Sequence, residues 1–207
     1  MISLDDYGIH VSRETMERFQ SYHDLLLQWT KAINLIAPST INDVWSRHIA
    51  DSAQVFALMP RTAKSLTDLG SGGGLPGIVL SILAAEKQPE LRVTLVESDQ
   101  RKAIFLRDVV RRLDLSADVL AKRIEDLDIQ RSDVLTARAL APMAKLLTFA
   151  DRLMKPSGMA LLQKGRNFAA ELAESQAHWR FTCHTHQSLT EPQARILQIE
   201  DIHRVDV

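Results

Sequence analysis

The chain has 207 residues, 45% of them hydrophobic and 25% charged, with a formal net charge of −1. That length supports one large α/β domain or two small ones. The charge balance excludes a protein whose whole surface coats nucleic acid, while leaving room for a local basic face. Cys183 is the single cysteine, which excludes an intrachain disulfide and a cysteine-based metal cluster.

The first ten residues, MISLDDYGIH, show no basic start followed by an apolar stretch, so no secretory signal is expected. The apolar runs are too short to cross a bilayer, and a cytoplasmic protein is expected. Met16, Phe19, Leu26, Trp29 and Ile33 recur at helical steps and predict a first helix, with Ser12 as its N-cap. A second helix is expected after Pro38, from Ser39 or Thr40, although Val44, Ala53, Val55, Phe56 and Met59 keep a less regular rhythm. Residues 1–60 thus read as a helical cap, packed on an α/β domain at 61–207.

From Ser65 short apolar strands alternate with helices. Strands are expected at 65–69, 92–97, 117–122, 133–140 and 158–163, and helices at 77–86, 101–113, 142–154 and 167–179. This alternation implies right-handed crossovers and a mainly parallel sheet. Two last strands, at 180–186 and 195–202, have no helix between them and should form an antiparallel hairpin at one edge.

The stretch LTDLGSGGGLPGIVL (66–80) is the strongest signal. Gly72, Gly74 and Gly77 satisfy the dinucleotide fingerprint G-x-G-x-x-G, a weak match in so glycine-dense a stretch. Counting from the strand gives another frame, Asp68-x-Gly70-x-Gly72-x-Gly74, in which an acid closes the strand, Gly70 makes the turn and Gly72 lets the backbone approach a ligand. Glu97 ends the next strand, where a carboxylate can accept both ribose hydroxyls. A dinucleotide site needs a second βαβαβ half, and here a hairpin stands in its place. S-adenosylmethionine fits better than a nicotinamide cofactor.

With that turn, the stretches KAINLIA (31–37), RHIADS (47–52), DLGSGGGLPGIVLSI (68–82), RKAIFL (101–106), RIEDL (123–127), ARALA (137–141) and LQKGR (162–166) run through most of the chain. In that order they resemble the bacterial family of small-subunit ribosomal RNA methyltransferase G, also called glucose-inhibited division protein B. The resemblance implies a Rossmann-like, seven-stranded S-adenosylmethionine-dependent methyltransferase fold with an N-terminal helical extension. It implies methylation of N7 of one guanine in the 530 loop of 16S ribosomal RNA, so that the partner is that RNA or the small ribosomal subunit. It also implies cofactor contacts from Gly70, Leu75, Ile124, Glu125 and Arg138. The serine and three glycines at 71–74, and Ile33, depart from the family's usual residues without removing a group the chemistry needs.

Gly70, Glu97, Ile124, Glu125 and Arg138 all fall just after expected strand ends, where ligands of open α/β sheets bind. Ile124 suits an adenine face, and Glu125 its polar edge. After the fourth strand TARALAP carries neither the acid-and-proline motif of exocyclic-amine methylation nor a cysteine nucleophile. Guanine N7 keeps a free lone pair at neutral pH, so no general base is expected and catalysis would be positioning. Arg138 would bind the cofactor carboxylate or an RNA phosphate. Lys122, Arg123, Lys164 and Arg166 are candidates for RNA phosphates, better placed than the five basic residues of the helix at 101–113. His48, three residues before Asp51, is a further RNA-side candidate. No metal site, no membrane contact and a monomeric state are expected. A cofactor-binding sensor without turnover, or a methyltransferase of another RNA, would carry the same glycine turn and acid.

Overall fold

The computed structural model describes residues 4–205. Helix α1 (Arg13–Thr30) begins where expected, the Ser12 side chain accepting the Thr15 N–H at 3.2 Å. The regular helix expected after Pro38 is replaced by short turns: tight ones over Pro38–Asp43, a wide π-helical one over Trp45–Ala50, a single α turn, α2 (Asp51–Ala53), and a tight one over Gln54–Leu58. The cause is the apolar spacing. Val44, Ile49, Ala50, Ala53 and Val55 are all buried, and no constant 3.6-residue period brings those positions to one face, so the turns widen and tighten instead.

The sheet follows: β1 (Ser65–Leu69), α3 (Gly77–Lys87), β2 (Arg92–Val96), α4 (Gln100–Arg112), β3 (Ala117–Leu120), β4 (Ser132–Arg138), α5 (Met143–Leu153), β5 (Met154–Lys164), α6 (Phe168–Ser175), β6 (Trp179–Gln187) and β7 (Arg195–Arg204). The seven strands lie in the order β3-β2-β1-β4-β5-β7-β6. The first five are parallel, and β7 joins β5 and β6 antiparallel. This is the Rossmann-like methyltransferase fold, with the expected hairpin at one edge. The expected helix at 167–179 stops at Ser175, and Trp179 starts β6 instead. Strand β5 reaches back to Met154, directly out of α5.

Successive strand residues feed opposite faces. Leu66, Val134 and Leu161 join α1, α3 and α4 in one core, while Leu69, Leu135, Ala137 and Leu162 join α5 in the other. Helix α3 reads apolar all round because it is enclosed: Ile78, Val79, Leu80, Ile82 and Leu83 have no exposed surface. Each such side chain contributes about 1.5–3 kcal/mol of burial. The strand order reverses between β1 and β4, and that seam opens the crevice described next.

Candidate active site

Two clefts lie beyond the carboxyl ends of the strands and share Arg138, Ala139, Leu140 and Ala141. The first, about 320 Å³, is bounded by Gly70, Gly72, Glu97, Ile124 and Glu125, with Lys102, Lys122, Arg123 and Lys145 at its basic margin. The second, about 510 Å³, lies between the ends of β4 and β5, the Arg47–Asp51 turn and the loop 188–194. Ala139, in the dividing wall, has φ +50, a left-handed conformation that costs a non-glycine residue of order 1 kcal/mol or more.

The first cleft is built by the glycine turn. Gly70 and Gly72 have φ +66 and +54, and a Cβ on Gly72 would find no protein atom nearer than 3.8 Å. The turn can therefore lie close to a ligand. Glu97, just past β2, accepts the N–H of Gly72 at 2.8 Å and of Asp99 at 2.7 Å, one on each oxygen. These bonds fix the carboxylate and leave a lone pair on each oxygen for a pair of hydroxyls. Ile124 is buried at the wall, its carbonyl held by Arg152. Glu125 is exposed and paired with Lys145 at 2.9 Å.

Two of the expected cofactor contacts, Asp68 and Leu75, are not among the residues that line the first cleft. Asp68 is wholly buried behind the turn, with Thr136 Oγ1 donating at 2.8 Å and the Gly77 N–H at 3.2 Å. Its carboxylate staples the turn to α3 and β4 and does not line the cleft. Burial pushes it up to about 6, against the hydrogen bonds that favour its charged form. Leu75 packs against the core beneath the turn, because the chain is already bending into α3 there.

The RNA-side candidates also separate. Lys122, Arg123 and Arg166 are exposed. Lys164 lines the second cleft but is spent on Glu171 at 2.5 Å and on the Ala141 carbonyl at 3.0 Å. His48 is buried, not open to either cleft. Its Nδ1 lies 3.2 Å from Arg138 Nη2 and its Nε2 2.8 Å from Thr40 Oγ1. Arg138 can only donate, so His48 is a neutral acceptor at Nδ1 and donates through Nε2 to Thr40, whose hydroxyl passes on to the Ala37 carbonyl at 2.8 Å. Burial, then the Arg138 and Arg47 charges, lower His48 to about 4.

Arg138 thereby sits at the seam with little of its fork free. Nη2 also donates to the Arg47 carbonyl at 2.7 Å, and Nε faces Asp51 at 3.5 Å. Only Nη1 has no partner. The hub is Asp51: one carboxylate oxygen takes Gln54 at 2.9 Å, Ser188 at 3.2 Å and Thr190 at 2.6 Å, and the other takes Gln163 at 2.8 Å. Gln163, Arg47 and the loop at 188–191 are site residues that motif reading missed. Gln163 lies inside LQKGR, but its partner is 112 residues away, which no local pattern reports.

Residues 15–199 match the family described as rRNA small subunit methyltransferase G. A curated ribosomal RNA small subunit methyltransferase G of Paracoccus denitrificans is 51% identical over 190 residues, covering 91% of this chain and 96% of that one. The chain belongs to the rRNA small subunit methyltransferase G family. Its Cereibacter sphaeroides relative is 48% identical over 198 residues, 96% of this chain and 95% of that one. Among solved structures, the Streptomyces achromogenes O-methyltransferase TomG, in complex with S-adenosylmethionine, superposes with a TM-score of 0.59. At 12% identity over 93% of this chain and 91% of that one, it shares the fold.

The family's methyl donor is S-adenosylmethionine, and the first cleft fits it. The cleft offers an acid fixed for a ribose, a glycine cradle that a Cβ would fill, and an apolar wall at Ile124. No cluster that could hold a metal occurs among the described residues, and no described helix is long and apolar enough to cross a membrane.

Proposed function

We propose that the chain transfers a methyl group from S-adenosylmethionine to N7 of a single guanine in the 530 loop of 16S ribosomal RNA, in the cytoplasm. The observation that carries this reading is the pair of clefts meeting at Arg138–Ala141, one furnished for a nucleoside cofactor and the other of a size for a base. Bound in the first, the cofactor supplies an electrophilic methyl group on a sulfonium. Glu97 would hold its ribose, Gly70 and Gly72 would pass beneath it, and Ile124 would cover its adenine, with Glu125 at the rim. Lys122 and Arg123 would meet RNA phosphates, and the exposed Arg166 could do so from the far side.

The protein's own part is to bind, orient and exclude water. Guanine N7 carries its lone pair at neutral pH, and so needs no base. His48, bonded to Arg138 at the seam, is engaged on both nitrogens and takes no proton from the substrate. The test is transfer of labelled methyl from S-adenosylmethionine to small ribosomal subunits lacking the modification, followed by mapping of the labelled base. Label at one guanine N7 is expected. Glu97→Ala should weaken cofactor binding by at least about 100-fold, as loss of two charge-assisted hydrogen bonds of about 1.5–3 kcal/mol each would. Label on other bases, or none, overturns the assignment.

A further inference from the structure

Resting on that reading of the second cleft, we propose that Gln163 and Arg138 read the target base, Arg138 donating to guanine O6 and Gln163 accepting from guanine N1–H. Three buried side-chain polar atoms lack a partner among the described residues: Ser52 Oγ, Arg138 Nη1 and Gln163 Oε1. Two of the three belong to residues that line the second cleft. An unpaired buried group costs about 1–3 kcal/mol, so two at one place point to a partner that arrives from outside.

Both residues hang on the same oxygen of Asp51, Gln163 Nε2 at 2.8 Å and Arg138 Nε at 3.5 Å, so the two side chains that carry the spare atoms share one anchor. Their identities are fixed. Gln163 Nε2 faces two acceptors, the Asp51 carboxylate and its carbonyl at 2.9 Å, so the amide cannot be turned over and Oε1 is the spare acceptor. Arg138 has its Nε and Nη2 engaged, which leaves Nη1 as a spare donor. The Asp51 carboxylate beside the guanidinium offsets its charge, which otherwise would oppose the charge the base gains on methylation.

The order of the two also matters. Arg138 lines both clefts and Gln163 only the second. From the cofactor outward, a base meets a donor and then an acceptor. Guanine with N7 toward the cofactor presents O6 and then N1–H, the matching sequence. Adenine in the same pose presents its N6 amine, a donor, to Arg138 and bare N1 to Gln163 Oε1, a mismatch at both places. Both spare atoms are buried, so the base gains them as the Arg138 and Gln163 side chains turn toward the cleft that both residues line.

The experiment uses the full chain and small subunits reconstituted with guanine, inosine or 2-aminopurine at the target position. Inosine keeps O6 and N1–H; 2-aminopurine lacks both. The unsubstituted protein should methylate guanine and inosine with kcat/KM within about fivefold and 2-aminopurine at least 100-fold less well. Gln163→Met should lower kcat/KM on guanine by 10- to 100-fold with cofactor affinity unchanged, and narrow the guanine to 2-aminopurine ratio. Equal use of 2-aminopurine by the unsubstituted protein overturns the proposal whatever the variant does. So does Gln163→Met with unaltered rate and ratio, while label on guanine would keep the methyl-transfer reading standing. No label from the unsubstituted protein on guanine overturns that reading, and the base readout with it.

Discussion

His48 and Asp68 titrate in opposite senses across one pH window. Burial and two arginines hold His48 down to about 4 from 6.5, so between those values the unfolded chain binds more protons than the folded one. Stability from His48 is therefore lost as pH falls through that range. Burial lifts Asp68 from 3.8 to about 6, so there the folded chain binds more protons and stability is lost as pH rises. Each contributes about 1–2 kcal/mol between pH 7 and 5, and together they flatten the profile. Relative to the unsubstituted protein, Asp68→Asn should lose stability more steeply on going from pH 7 to 5, and His48→Gln should lose it less or gain it. Urea midpoints at the two pH values measure both. Parallel shifts in the two variants would remove the burial argument for one of them. Neither behaviour was legible in the sequence: DLGSG marks an acid at a strand end, but whether it faces a ligand or the core depends on Thr136, 68 residues away.

At the scale of the element, the glycine turn divides into positions that serve the cleft and positions that serve packing. A Cβ at Gly77 would meet Leu95 Cδ2 at 2.3 Å and the Asp68 carboxylate at 2.6 Å, whereas one at Gly72 meets only Gly70 O at 3.8 Å. Gly72→Ala bears chiefly the left-handed backbone cost of roughly 1–2 kcal/mol, yet occupies the cradle. It should reduce S-adenosylhomocysteine affinity at least tenfold while Tm falls only a few degrees. Gly77→Ala should reverse the balance and lower stability by about 3 kcal/mol, overpacking against the buried Leu95 and Asp68 side chains being the cause. Calorimetric binding and thermal unfolding of both variants would expose a wrong partition by giving the opposite order. The alternation of strand and helix was readable because each strand is a short apolar run between turn residues, and a sheet covered on both faces demands such runs. The stretch from Pro38 to Leu58 was not, because its turns change width to suit the core.

At the scale of the molecule, the helical beginning is continuous with the sheet's core. Phe19, Tyr22, Leu26, Ile49 and Val55 have no exposed surface and share one cluster with Leu66, Ile78, Val79 and Leu83. Tyr22 also donates to the Gly73 carbonyl at 2.6 Å, so α1 holds the glycine turn from behind. Composition suggests a boundary near residue 60 because the period of apolar residues changes there. A change of period marks a change of secondary structure and says nothing of whether the two sides pack independently. Five large side chains at about 2 kcal/mol each amount to about 10 kcal/mol of burial, as much as the whole net stability of about 5–15 kcal/mol in an ordinary domain. A fragment of residues 61–207 should therefore lack cooperative unfolding, show collapsed near-ultraviolet circular dichroism, and fail to bind S-adenosylhomocysteine. Tyr22→Phe in the full chain should retain the fold, lose about 1 kcal/mol and weaken cofactor binding several-fold by loosening the turn. A fragment that unfolds cooperatively and binds the cofactor as the full chain does would show that the sheet closes its own core, and would leave Tyr22 a bond without consequence for the site.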